Sequence, residues 1–218
     1  MPPKPKFTKE EIINSAYELV RLGGENALTA REVGKSLGTS SSPIFTFFSD
    51  MEELKSEVQK KAKSCFDAYM AVAENYNPAY KMRGMQWVKF AREEPMLFNL
   101  LFMQKSLKIG DFDEVMDIIP FGKEDDIKII MRDYHADRSC AEHLFKQMWI
   151  YTYGLCVLSA EGVCSFSDDE IAVQLGEIFR GMIYIIHSDI AEIASVKPAE
   201  LGSDESNYIQ AKHPDLSK

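Results

Sequence analysis

The sequence predicts an all-α protein: a short three-helix unit at the N-terminus, then a larger helical body, about nine helices in all. Three observations carry that expectation. Apolar residues return at i, i+3, i+4 and i+7 through most of the chain, the spacing of a helix with one buried face. Three capping boxes, Thr8 to Glu11, Thr29 to Glu32 and Ser167 to Glu170, each stand directly before such a stretch. No segment alternates apolar and polar residues as a strand does, and there is no internal repeat.

The elements follow in order. Thr8 caps a first helix, with Phe7 and Ile12 as the hydrophobic staple and Gly23-Gly24 as its end. Ile12, Ala16, Leu19, Val20 and Gly23 share its inner face. Thr29 caps a short second helix, stapled by Leu28 and Val33 and stopped at Gly38. Ser40 opens a third helix through Phe47, with Pro43 in the first turn, where no intrahelical donor is lost. Asp50 to Glu53 opens a long fourth helix over 51–75, with Pro78 at or beyond its end.

The body begins there. Trp87, Val88, Phe90 and Ala91 predict a fifth helix, broken at Pro95. Met96 to Met103 is apolar nearly all round and must be buried on most sides. Residues 106–123 read as irregular, and Ile127, Ile130, Met131 and Tyr134 mark the next helix. Over 138–160 a long helix carries two apolar faces. One holds Ala141, Leu144, Phe145, Met148, Thr152 and Leu155; the other holds Trp149, Tyr153, Cys156 and Ala160. Gly162 stops it. The helix after Ser167 runs to about Ser188, and residues 196–218 read as a polar tail.

Composition narrows the function classes. With 45% hydrophobic and 27% charged residues the chain resembles an ordinary globular protein. No apolar run reaches ~18 residues, so no membrane span is expected. MPPKPKF lacks the apolar stretch of a signal peptide, which points to a cytoplasmic protein. Cys65, Cys140, Cys156 and Cys164 form no CxxC pair and read as buried thiols; a redox switch would fall to Cys156 and Cys164. The net charge of −9 lies outside the N-terminal unit, where residues 1–63 hold 10 Lys and Arg against 9 Asp and Glu. His135, His143, His187 and His213 lack metal-ligand spacing, and no GxSxG, phosphate loop or dinucleotide fingerprint occurs. The expectation is therefore no enzyme, no cofactor and no metal, with a helical enzyme lacking a recognisable motif as the remote alternative.

Leu28 to Leu54, LTAREVGKSLGTSSSPIFTFFSDMEEL, carries the functional argument. Two short helices joined by a glycine turn are the shape that delivers side chains into a DNA groove. Thr29 and Arg31 open the second helix, where backbone N–H groups and a cation can hold a phosphate. Ile44 and Phe48 read as core, Phe47 as core or rim, and Phe45 as core or contact. Lys4 and Lys6, between prolines, read either as an arm on the phosphates or in the minor groove of DNA or as a merely disordered tip.

These residues, about 8–56, resemble the TetR family of bacterial regulators. The likeness lies in the first helix closing on glycine, LTAREVGKSLG, TSSSPIFTFF, and SDMEEL opening the fourth helix. It implies a DNA-binding domain over 1–50, a connecting helix over 51–75 and an effector-binding and dimerisation domain over 51–195. It further implies a homodimer, probed by a small effector and released from a pseudo-palindromic double-stranded operator, as repressors are. Ser41, Ser42, Pro43 and Thr46 would project from the recognition helix in that geometry. Phe45 stands where the family often has tyrosine, Phe47 where a histidine or aromatic is usual, and Met51 where lysine is usual. Lys55, one turn later, is the substitute phosphate contact.

In the body, Trp87, Phe90, Phe102, Met116, Tyr134, Phe145, Met148 and Trp149 exceed what a thin bundle needs and would line a pocket for an apolar or amphipathic effector. Asp133, Asp137 and Glu142 would add a negative wall suited to a cation, or stand as surface charges. The apolar faces over 138–160 and 168–188, with Gly154, Gly176 and Gly181 for close approach, predict a dimer interface of Leu155, Ile171, Leu175, Ile178, Phe179 and Met182. Thiol chemistry or a partner protein is the alternative signal.

Overall fold

Capping residues write the helix starts of this chain. The computed structural model describes residues 7–103, 114–115 and 122–187, and among them lie eight α-helices and no strand. Helix α1 (Lys9–Gly23) starts at Thr8, whose hydroxyl accepts the Glu11 N–H at 3.1 Å. The Glu11 carboxylate accepts the Thr8 N–H at 2.7 Å, and that bond holds its pKa below the usual range. Gly24 ends the helix at φ +74°, a conformation that side-chain-bearing residues rarely adopt. Helix α2 (Ala30–Ser36) starts at Thr29, which accepts the Glu32 N–H at 3.2 Å.

The third predicted helix is replaced by a tighter element. Ile44–Thr46 is a 3-10 turn. The Ile44 N–H bonds Ser41 O at 3.1 Å, the Thr46 N–H bonds Pro43 O at 3.3 Å and the Phe47 N–H bonds Ile44 O at 3.0 Å. Ahead of this turn the Ser40 hydroxyl accepts the Ser42 N–H at 3.4 Å. The turn is pressed on α2 at Gly34, where a Cβ would come within 2.8 Å of the Ser40 carbonyl group. Ile12, Ala16, Val20, Val33, Ile44 and Phe48 fill the core of this N-terminal unit.

Helix α3 (Met51–Val72) is capped jointly: Asp50 accepts the Glu53 N–H at 2.8 Å, and Glu53 accepts the Ser49 N–H at 2.7 Å. A 3-10 turn, Ala73–Asn75, finishes the predicted 51–75 segment. Leu54, Val58, Ala62, Phe66 and Met70 form its buried stripe. Helices α4 (Ala79–Glu93) and α5 (Pro95–Phe102) meet at Glu94, with Pro95 in the first turn of α5 as its missing donor requires. Then come α6 (Lys123–Tyr134), α7 (Arg138–Ala160) and α8 (Asp168–His187). Asp137 caps α7 through the Cys140 N–H at 2.8 Å, and Ser167 and Glu170 form the expected reciprocal box at α8. Gly162, at φ +66°, follows α7 as predicted. Most of 106–123, including Met116, lies outside the described residues, as do Lys4, Lys6 and the tail from 188 onward.

Helix α4 packs against α3, α5, α6 and α7. A Cβ on Gly84 would stand 3.1 Å from Leu175 Cδ1, so α4 also lies close on α8. Polar ties fix it at several points. Asp133 accepts the Ala79 N–H at 3.0 Å, and Arg92 donates to Phe166 O at 2.8 Å and to Asp168 at 2.7 Å. Residues up to Ile178 form one unit; the last turns of α8, from Phe179, belong to a second. Among the described residues no helix is long and apolar enough to cross a membrane.

Arg83 of α4 and Asp126 of α6 form an ion pair in which the carboxylate is 1% exposed. Burial pushes the Asp126 pKa up to about 6, against the pull of the guanidinium. The folded pKa thus exceeds the unfolded one. Asp126 favours folding below its unfolded pKa, and that contribution is lost as pH rises through 6. We expect Asp126→Asn to gain stability relative to wild type between pH 4 and 7, by on the order of 2 kcal/mol. Urea denaturation across that range measures it; a difference that does not change with pH would refute this account of the pair.

Candidate functional site

The N-terminal unit sorts its side chains by burial. Val33 and Gly34 of α2, and Ile44 and Phe48 of the turn, face inward. Ser42, Phe45 and Thr46 are left exposed, with Ser41 and Pro43 half-buried beside them. Phe45 is 50% exposed, which places it at the surface rather than in the core. Phe47 sits at the rim. Thr29 and Arg31 are both exposed at the start of α2, and the Thr29 hydroxyl is committed to its cap. Arg31 has no ion-pair partner among the described residues. Lys35, on the same face one turn on, lies 3.6 Å from Glu32.

Lys55 departs from its expected role. Its ammonium closes on Glu25, in the 3-10 turn Glu25–Ala27 that follows α1, so its charge is already matched. Thirty residues separate the partners, so local patterning does not disclose the pair. Lys9 is likewise engaged, 3.8 Å from Glu57 and 5.2 Å over the Phe48 ring.

Sequence reasoning also missed the joint between this unit and the body. Arg21 of α1 grips Glu94 through two hydrogen bonds, Nε to Oε2 at 2.7 Å and Nη2 to Oε1 at 2.5 Å. Glu94 is the elbow between α4 and α5. Lys61 of α3 donates to Asn14 of α1 and stands 5.1 Å over the Tyr17 ring. Burial, with the Cys65 thiol and Glu94 nearby, drives the Tyr17 pKa upward. The available signal was Glu94 itself, an acid set directly before the apolar run PMLFNLLF.

In the body, four of the predicted effector residues come together. Trp87 lies 5.6 Å from Phe102 and 5.7 Å from Trp149, and Phe66 of α3 lies 5.3 Å from Phe90 and 5.1 Å from Phe102. Trp149 stacks on Tyr153 at 5.0 Å. Phe145 and Met148 are buried on α7, and Tyr134 is half-buried on α6. The rings touch one another, so a ligand among them must part them. The acidic wall is spent on structure: Asp133 caps α4, Asp137 caps α7, and Glu142 pairs with Arg138 at 2.7 Å. The thiols are free, with Cys156 fully buried and its pKa driven up by that burial, and Cys164 exposed.

Both apolar faces of α7 are covered within the chain, which revises the predicted dimer surface. Leu155, Ile171 and Leu175 are core residues of the single chain. Ile178 stays partly exposed; Phe179 and Met182 fall on the last turns of α8, in the second unit. A third stripe of α7, opposite the core, carries exposed Ile150, Gly154 and Leu158 with Val157 half-buried. A Cβ on Gly154 would meet nothing within 4 Å. No known protein family matches the chain, and no curated protein is recognisably similar to it.

The Arg21–Glu94 pair is asymmetric, with side chains 44% and 9% exposed. Arg21→Ala strands a carboxylate away from water, whereas Glu94→Gln returns a guanidinium to it. We expect losses of about 3 kcal/mol for the first and about 1 kcal/mol for the second in urea denaturation. Equal losses would mean that the carboxylate is not desolvated.

Proposed function

We propose that this chain is a ligand-responsive, DNA-binding transcription regulator of the TetR type, working as a homodimer on a pseudo-palindromic operator. One observation carries the reading. A segment whose Ser40 backbone is seated on Gly34 of α2 holds Ile44 and Phe48 inside and turns Ser42, Phe45 and Thr46 outward, next in sequence to a helix whose Arg31 has no acidic partner among the described residues. That arrangement suits base contacts from the turn and phosphate contacts from α2. In a dimer the two readers would lie roughly 34 Å apart, one helical repeat of DNA.

The proposed signal is an apolar or amphipathic molecule that parts the rings of α4, α5 and α7. Those helices meet the reader through Glu94 and Arg21, so displacing the elbow reaches α1 directly. A ligand that binds the displaced arrangement better by about 1–3 kcal/mol would weaken operator binding about 5–150-fold.

Selection from random double-stranded DNA, followed by band shifts, tests the reading. We expect one palindromic motif. Arg31 and Lys35 give two phosphate cations per subunit, so the log–log salt slope should be about −4 for the dimer. Arg31→Ala should weaken all duplexes alike and make the slope shallower by about 2. A selection that enriches no sequence sinks the proposal.

The exposed stripe of α7 is the proposed dimer seam. With Ile178 it would form the apolar centre of an isologous contact, which in an obligate dimer totals on the order of 2,000 Å² or more. We expect wild type to be dimeric in light scattering at micromolar concentration and Ile150→Glu with Leu158→Glu to be a folded monomer. A wild-type monomer, or a dimer indifferent to both charges, counts against this seam.

A further inference from the structure

From Leu37 to Leu54 the chain holds no Arg, Lys, His, Asn or Gln. That inventory excludes the bidentate contacts by which proteins most often read bases, Arg or Lys to guanine and Asn or Gln to adenine. Of the three acids there, whose carboxylates can accept from cytosine, Asp50 and Glu53 are occupied at the start of α3 by the Glu53 and Ser49 N–H groups, and Glu52 stands exposed in the first turn of α3, outside the turn itself. Ser and Thr hydroxyls can donate or accept and so distinguish bases poorly. What remains to the turn itself is apolar contact, and the major groove offers one apolar group, the C5-methyl of thymine.

The structure supplies a matching surface. Phe45 is 50% exposed, beside exposed Thr46 and Ser42 and half-buried Pro43, whereas Ile44 and Phe48 are buried. It cannot fold inward, because its neighbour Ile44 already occupies the core and Phe48 anchors the far side of the turn. A ring kept half in water by two buried neighbours is ready to gain by covering a methyl group.

Resting on the DNA-binding reading above, we infer that Phe45 is the specificity-determining residue of the turn and reads thymine methyl groups in the major groove. The operator half-site then owes its identity to one or two thymines rather than to guanine. Arg31 and Lys35 position the turn through phosphates, and Phe45 sets the sequence.

The test uses the full-length protein and the best duplex from the selection. Each thymine is replaced in turn by deoxyuridine, which removes the methyl and keeps every hydrogen-bonding group. One methyl buried against the ring should be worth about fourfold in affinity, and about 15-fold when both half-sites lose it. 5-Methylcytosine paired with guanine at the same position should recover part of the loss relative to unmodified cytosine. Phe45→Ala should bind the thymine and uracil duplexes equally, and Phe45→Leu should keep part of the discrimination. The exposed position makes both variants safe for folding, which circular dichroism checks. Wild-type protein that selects a DNA sequence yet binds thymine and uracil duplexes alike at every position overturns this inference and leaves the DNA-binding reading standing. A methyl effect that survives Phe45→Ala overturns the assignment to Phe45. Failure to select any DNA overturns the function reading itself.

Discussion

Burial of one broad face of α4 is the constraint on which the rest of the structure depends. Trp87, Val88, Phe90 and Ala91 spread over nearly half of the helix circumference, and all are inaccessible to water. A face that wide needs more than one partner, and α3, α5, α6 and α7 supply the cover. Its polar residues then have to be satisfied from other elements. Arg83 takes Asp126, the first N–H takes Asp133, and Arg92 takes Phe166 O and Asp168. Gly84 shows the same closeness in steric form, since a Cβ there would stand 3.1 Å from Leu175 Cδ1 and press on it. These ties also hold the ends of α6 and α8 where they are, so the body's arrangement follows from enclosing one helix.

The same constraint reaches the N-terminal unit through Glu94. The elbow of α4 and α5 cannot move independently of α4, and Arg21 holds the elbow by both carboxylate oxygens. The aromatic cluster belongs to the same block: Phe66 on α3, Trp87 and Phe90 on α4, and Phe102 on α5 are in ring contact. A close-packed interior of this kind shifts as a body rather than deforming locally. A perturbation among the rings therefore has a contiguous physical route to α1, in addition to α3 itself. Coupling along it requires that the elbow have two arrangements which the ligand distinguishes.

What the sequence disclosed was what is decided locally. Thr8, Thr29, Asp50 and Ser167 all cap where the sequence places a cap, because a cap involves residues three apart. Pro95 divides α4 from α5 for an equally local reason. The segment Ile44–Thr46 reads as a helix in the sequence because its apolar spacing fits both a helix and a tighter turn. What the spacing does not reveal is the close approach of the Ser40 backbone to Gly34. Long-range pairs were illegible. Nothing near Lys55 points to Glu25, and nothing near Arg21 points to Glu94. The interface residues failed for a related reason: apolar periodicity tells that Leu155, Ile171 and Leu175 are buried, but not whether by their own chain or by another. The stripe left outside, Ile150, Gly154 and Leu158, stood out less in the sequence because one of its members is glycine.

Charge completes the picture of how such a reader would act. The residues after 63 carry 25 acids against 15 bases, and the turn itself carries no cation. Long-range attraction to DNA is therefore weak, and association gains little from electrostatic steering. The same scarcity lowers non-specific binding, which comes almost wholly from phosphate neutralisation. Because the genome offers a vast excess of wrong sites, discrimination depends on the ratio of specific to non-specific affinity rather than on affinity alone. A protein with few free cations loses in both terms, but more in the non-specific one, since contacts of the Phe45 kind survive only on the right sequence. A body with an excess of acids would add a net repulsion of duplex. On this view the low charge of the reader is not an obstacle to the proposed function but a means of keeping it selective.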